Sequence, residues 1–447
     1  MEGAPQKELS LFDSTCIIVG IIIGAGIYET APLVAKCLGS GMGVMLIWLA
    51  GGVLALIGAL CYAELATTYP REGGDYIYLT RAYGRWPGYM FGWAQLAVVR
   101  PGDIALMAFI FARYAQTLYA PFTDSGLSYA AAVIVVLTVI NILGVKAGKW
   151  TQNFLTVAKF MGLVAISVVG FTAPSPPQTG TLPAVESFTW EGLQLAFILV
   201  LFTFGGWNEM AYVAAEIKRP QQNIVRALVT GTVAVTALYV LVNGAFLSAL
   251  GMAGMSNSRA VAVEAVGRTF PQIAGRVIAI LICISALGAI NGLIFTGARI
   301  SYALGVDHRS FRPLGKWSQV LGTPVWALVV QGTLSLAIVL VAGSFIDTIL
   351  YTAPLVWLFF LATAFSVIVL RRREPDMPRP YKVMAYPLSP LVFAAFCVFM
   401  LFSSTAYAIG RKPLGLLFLV GILLLGVMVY WLSDRPDIKK RSSRLLS

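Results

Sequence analysis

Four glycines mark where this chain could use its backbone for chemistry. Gly24 and Gly26 stand inside GIIIGAGIY (residues 20–28), and Gly205 and Gly206 stand inside FTFGGWNEM (residues 202–210). Each lies in an apolar run, where Gly costs about 1 kcal/mol of helix propensity relative to Ala. A helix that unwinds at such a point exposes two different surfaces. The start of its second half offers free N–H groups and a positive dipole, suited to a carboxylate. The end of its first half offers free carbonyls, suited to an ammonium. Two breaks facing each other would clamp a zwitterion. The N–H groups of Ala25 and Gly26 would hold the carboxylate, and the carbonyls of Ile22, Phe202 and Gly205 would take the amine. The plain alternative is close packing, because Gly20 and Gly24 also form a GxxxG pair.

Polar side chains in the same apolar runs narrow the chemistry further. Lys159 sits deep in one run, where a lone charge costs about 2.5–3.5 kcal/mol and calls for a partner. Its ammonium could cap carbonyls freed at the first break. Glu209 follows the second break by four residues. It could pair with Arg100, meet a cationic group on a substrate, or titrate with a proton affinity raised by burial. Asn208 lies beside the break, and both it and Asn291 suit hydrogen bonds between helices.

The elements that must position these residues are membrane helices. The chain has 447 residues, of which 58% are hydrophobic and only 12% charged. With repeated apolar runs near 20 residues, that composition describes an all-α polytopic membrane protein. Twelve spans are expected, near 11–37, 42–69, 87–119, 127–146, 150–172, 190–217, 222–250, 273–304, 323–343, 346–371, 387–410 and 412–433. The third is long enough to require tilt or interruption, and Arg100-Pro101 falls near its middle. The net charge of +12 is topological. Most Lys and Arg fall on the amino terminus, the even-to-odd loops and the carboxyl tail. Lys36, Arg113, Arg259, Arg268, Arg276, Arg411 and Lys412 fall on the opposite face, and Arg100 and Lys159 fall inside. The positive-inside asymmetry places both termini in the cytoplasm, in a plasma or bacterial inner membrane. Nucleic acid is not an expected partner; the lipid bilayer is.

The two breaks share a register. Span 1 is interrupted at Gly24 and span 6 at Gly205, and each opens a block of five spans. An odd number per block makes the second block enter the membrane inverted. The expected architecture is thus a five-plus-five inverted repeat with discontinuous first and sixth helices, the arrangement that points to a transporter site at the bilayer midplane. Its units are a tail 1–10, a first repeat 11–172, a second repeat 188–371, spans 11 and 12 at 387–433, and a tail 434–447. A Pro/Ser/Thr-rich loop at 171–183 separates the repeats, and a short amphipathic helix is expected within 256–271.

Taken in order, GIIIGAGIY, the Arg100-Pro101 pair, FGGWNE with AAEIKRP, GAINGLIFTGAR and EPDMPRPYKV resemble the L-type amino-acid transporter family of the amino acid–polyamine–organocation superfamily. The resemblance spans nearly the whole chain. It implies alternating access and sodium-independent transport or exchange of amino acids. The family's substrate contacts map onto Ile22, Ala25 and Gly26, with Gly24 between them, and onto Phe202 and Gly205. Phe204, Asn208 and Glu209 are adjoining candidates. Phe202 matches the family's gating aromatic, Trp357 is taken as a second gate residue, and Lys159 would stand where sodium binds in ion-coupled relatives. There are departures: Ala25 replaces a common Ser, Glu209 a common aromatic residue, and Val356-Trp357 a frequent Asn-Trp pair.

Other function classes lack their residues. The single histidine, His308, lies in a basic loop and supplies neither a zinc site nor a triad. GAGIYE lacks the third glycine of a dinucleotide fingerprint. No enzyme activity, metal or cofactor is expected. Cys16, Cys37, Cys61, Cys283 and Cys397 all lie in or at the ends of apolar spans. The loop 119–128 contains no cysteine, so no disulfide-linked ancillary subunit is expected.

Overall fold

Ser10 sets the start of the first helix. Its side chain accepts the N–H of Asp13, and the Asp13 carboxylate accepts the Ser10 N–H at 2.8 Å, a reciprocal cap. Helix α1 (Leu11–Ile22) then runs to the glycine cluster and stops. Helix α2 (Gly26–Leu38) resumes after it, bent by 48° from α1. Gly39, in the left-handed region with φ 65°, ends α2. The computed structural model describes residues 5–120, 126–174, 189–342, 345–411 and 413–433.

The helices that follow are α3 (Gly41–Thr68), the short α4 (Asp75–Tyr83), and α5 (Arg85–Ala94) with α6 (Arg100–Leu118). A π turn at Gln95–Val99 joins α5 to α6 immediately ahead of Arg100-Pro101. This is the interruption expected of an overlong third span, at a proline that cannot donate into the helix. Next come α7 (Leu127–Ile142), α8 (Val145–Thr172) and α9 (Trp190–Thr203). The second glycine pair ends α9, and the chain continues as tight turns at Trp207–Tyr212 and Ala214–Glu216. Then follow α10 (Pro220–Asn257), the short α11 (Val261–Gly267) and α12 (Ala274–Asp307). The last four are α13 (Val325–Ala342), α14 (Phe345–Arg373), α15 (Leu388–Arg411) and α16 (Pro413–Ser433).

Among the described residues eight helices are long and apolar enough to cross a membrane, nine when the α1–α2 pair counts as one bent span. Three shorter apolar helices, Leu127–Ile142, Val325–Leu340 and Leu419–Leu432, lie where the fourth, ninth and twelfth spans are expected. The chain is an integral membrane protein of helices. Several expectations fall outside the described residues: 1–4 of the first tail, 121–125 of the loop 119–128, 175–188 of the Pro/Ser/Thr-rich stretch, 343–344, Lys412, and the tail 434–447.

Small residues set the packing, as expected where lipid gives helices no hydrophobic reason to associate. A Cβ added at Gly20 would lie 2.1 Å from Gln152 of α8, and one at Gly52 would lie 2.2 Å from Thr236 of α10. Gly20 therefore serves close packing. Gly24 differs: the nearest atom to an added Cβ is Met107 Sδ at 3.7 Å, ordinary contact distance.

Candidate functional site

The two breaks touch. Gly206 has φ 116°, and a Cβ there would lie 2.7 Å from Ile21 Cγ2 and 3.1 Å from the Ile22 nitrogen. Only glycine allows the second break to rest on the first in this way. On the other side of the contact, a Cβ at Gly26 would lie 3.2 Å from Thr203, and the Thr203 and Thr30 hydroxyls are 3.1 Å apart.

At the first break Gly24 donates to the Ile22 carbonyl at 2.8 Å, and Tyr28 donates to Ala25 at 3.1 Å. The N–H groups of Ala25, Gly26 and Ile27 have no partner among the described residues. They open α2 and carry its positive end. Ala25 is fully buried and its side chain makes no cap, so polar recognition at this position is left to the backbone. At the second break Gly205 donates to Phe202 at 3.0 Å and is itself exposed, whereas the N–H groups of Gly206, Trp207 and Asn208 have no partner among the described residues. The site can thus offer N–H donors from two segments together with carbonyls at the ends of α1 and α9.

Those carbonyls are organised by side chains from neighbouring helices. Lys159 of α8 is fully buried and donates to the carbonyls of Gly20, Ile23 (2.8 Å) and Ser285 (3.1 Å). The Ser285 hydroxyl also donates to Ile23 O at 3.0 Å. Tyr239 of α10 donates to Ile22 O at 2.8 Å and reaches Thr203 O at 3.5 Å, touching the carbonyl ends of both broken helices.

Glu209 has both oxygens engaged. Arg100 Nη2 donates at 2.7 Å and Thr296 Oγ1 at 2.6 Å, with the ion pair almost entirely shielded from solvent. Of the three readings open for Glu209, the pair with Arg100 is the contact formed. Gln95, in the π turn, accepts from Arg100 Nε at 3.1 Å, so the interruption aims the guanidinium at the second break. Asn208 donates to the Tyr212 hydroxyl at 2.8 Å.

The family follows from the whole chain. A family model described as amino acid permease matches residues 9–437. The b(0,+)-type amino acid transporter 1 of Mus musculus is 32% identical over 439 residues, covering 96% of this chain and 88% of the relative. The Homo sapiens protein of the same name gives the same identity and coverage. The large neutral amino acids transporter small subunit 2 of Mus musculus is 31% identical, covering 96% of this chain and 81% of the relative. The chain is an L-type member of the amino acid permease family. Membership places it with transporters and not with enzymes.

The remaining residues singled out in this permease make contacts of their own. Phe202 is half-buried at the end of α9. Phe204 is fully buried in an aromatic cluster with Trp48 (6.1 Å between centroids) and Tyr239 (5.2 Å), behind the second break. Trp357 stands edge-on to Phe360 (5.5 Å) and Phe396 (5.8 Å), and Phe360 in turn meets Trp207 at 5.4 Å. Asn291 joins helices, accepting from Asn141 at 2.8 Å and donating to Gln152 at 2.9 Å. Glu64 pairs with Arg371 at 2.6 Å and Arg379 at 3.5 Å. Tyr239, Ser285 and Thr203 were missed by sequence reasoning. Their only signal is a hydroxyl in an apolar helix, which mostly indicates a local bond to the backbone.

Proposed function

We propose that this permease exchanges zwitterionic amino acids across the membrane by alternating access, without sodium. The observation carrying the reading is the pair of touching breaks, the first of which has its Gly20 and Ile23 carbonyls bound by Lys159. The substrate carboxylate meets the N–H groups of Ala25 and Gly26, with Gly24 leaving the backbone bare beside them. The ammonium meets the carbonyls of Ile22, Phe202 and Gly205. Phe202 and Trp357 act as gates, and Phe204 backs the second break. Asn208 and Glu209 shape that break through Tyr212 and Arg100. A fixed ammonium on Gly20 and Ile23 occupies the place a coupling cation would need, which supports independence from sodium.

The finer architecture belongs to the same proposal: twelve spans, with repeats 11–172 and 188–371 inverted about the two breaks. The charge asymmetry supports cytoplasmic termini. The relatives' names support amino acids as the substrate class, and the name of one relative marks it as a small subunit. Residues 119–128 of this chain contain no cysteine, which supports function without a disulfide-linked partner. The test is uptake of a panel of labelled amino acids into liposomes carrying the purified protein. Uptake should be saturable, accelerated by unlabelled amino acid inside, and unchanged when choline replaces sodium. Strong dependence on sodium would overturn the proposal.

A further inference from the structure

Asp75 is a buried carboxylate with no cationic partner among the described residues. It opens α4 directly after Gly73 and Gly74, is fully shielded from solvent, and makes no ion pair among the described residues. Three hydroxyls answer it instead. Tyr62 of α3 and Thr363 of α14 donate to Oδ1, and Tyr212 donates to Oδ2 at 2.8 Å. The Tyr212 hydroxyl accepts from Asn208, so one line of hydrogen bonds runs from the second break to Asp75. The backbone repeats the link, since Gly73 N–H donates to Tyr212 O at 3.1 Å.

Four segments therefore meet on one carboxylate: α3, α4, α14 and the turn at Trp207–Tyr212. The other titratable groups acting on it are Tyr78 of its own helix and Glu209 of that turn, whose charge is answered by Arg100. Burial raises the proton affinity of Asp75 and the three donors lower it, leaving its pKa raised to about 6. A hydroxyl donating to a charged acceptor holds that pKa down by about one to two pH units. Withdrawal of a single hydroxyl is enough to carry Asp75 from ionised to protonated near neutral pH.

We propose that Asp75 is a proton-binding site coupled to opening of the molecule at the α3–α4 connection. Ionised, it draws Tyr62, Tyr212 and Thr363 together and holds this end shut. When the segment after the second break swings away with Tyr212, α3, Tyr78 and α14 still cover Asp75. The carboxylate then loses one donor but keeps its burial and takes up a proton, which it releases to the same side on closing. The site therefore sets the balance of conformations and their exchange rate, not the driving force. Linkage fixes the sign: whichever form binds the proton more tightly is favoured at low pH, so acid favours the open form. The inference rests on the alternating-access reading above.

The test is an infrared titration of the carboxylic-acid carbonyl band in proteoliposomes without amino acid, between about pH 5 and pH 8. The wild type should show a band with a midpoint at about pH 6 that is absent in Asp75→Asn. Tyr212→Phe and Thr363→Val should each move the midpoint up by about one to two pH units. These two variants carry the test if Asp75→Asn does not reach the membrane. Amino acid exchange should follow the same midpoint and lose it in Asp75→Asn. No Asp75-dependent band in this range, or an unmoved midpoint in both hydroxyl variants, would overturn the proposal. An intact band in a protein that exchanges no amino acid would overturn the transport reading instead.

Discussion

The Tyr239 hydroxyl lies 2.8 Å from the carbonyl oxygen of Ile22 and 3.5 Å from that of Thr203. One side chain of α10 thus holds the carbonyl ends of both broken helices, at the place where an amine would dock. Tyr239→Phe keeps the ring that packs on Trp48 and Phe204 and removes only the donor. A hydrogen bond of this kind contributes about 0.5–1.5 kcal/mol net. The expected outcome is a protein of wild-type melting behaviour whose KM for amino acid rises about two- to tenfold. Exchange kinetics in liposomes check it.

Lys159→Ala removes the shared donor from three buried carbonyls and leaves a cavity beside Gly288, whose added Cβ would lie 2.7 Å from Lys159 Nζ. Ser285 still answers Ile23, but Gly20 loses its side-chain donor. Transport should fall by more than about tenfold, because unpaired buried groups let the first break close on itself. The measurement is uptake normalised to the amount of protein in the membrane. Retained uptake would show that the break is held by other contacts.

The glycines at the breaks should not be equivalent. Gly24→Ala meets only Met107 at contact distance, so the protein should fold as before, but its methyl enters the space proposed for the carboxylate and should raise KM for amino acid. Gly206→Ala should abolish it, because a side chain there is strained at φ 116° and strikes Ile21. Gly26→Leu should also fail against Thr203, whereas Ala25→Ser should retain binding through the same N–H groups. Uptake assays across these four variants separate backbone recognition from simple helix packing.

Glu209→Gln leaves the Arg100 guanidinium buried without its counter-charge. Breaking one side of a buried pair costs about 3–5 kcal/mol. The midpoint of thermal unfolding in detergent should therefore fall, and adding Arg100→Gln should restore part of the loss. An unchanged melting curve together with altered substrate preference would show that Glu209 contacts the amino acid directly.

The sites of unwinding were legible in the sequence because they depend on Gly in apolar runs, a local and costly feature. Lys159 was legible for the same reason: an isolated charge in lipid demands partners, and broken helices supply them. The length of the third span foretold an interruption near Arg100, although not that it would be a π turn aimed by Gln95. What escaped was set by rotation of helices about their axes. Nothing local distinguishes Tyr239, which reaches Ile22, from an interfacial tyrosine, or places Thr203 against Gly26. Asn208 was legible as a buried amide beside the break, but not that its partner would be the Tyr212 hydroxyl. Asp75 reads as a loop carboxylate until α3 and α14 close over it.

Leu9 is fully buried, and its backbone joins both sides of the turn after the second break, taking a bond from Lys218 at 2.8 Å and giving one to Glu216 at 2.9 Å. Lys149 holds the same strand through the Glu8 carbonyl at 3.0 Å. In practical terms Glu8 and Leu9 form a leash on the second broken helix. A fluorophore attached there follows that helix and not the surrounding solvent, whereas a bulky tag fused close to Leu9 loads the segment that must swing.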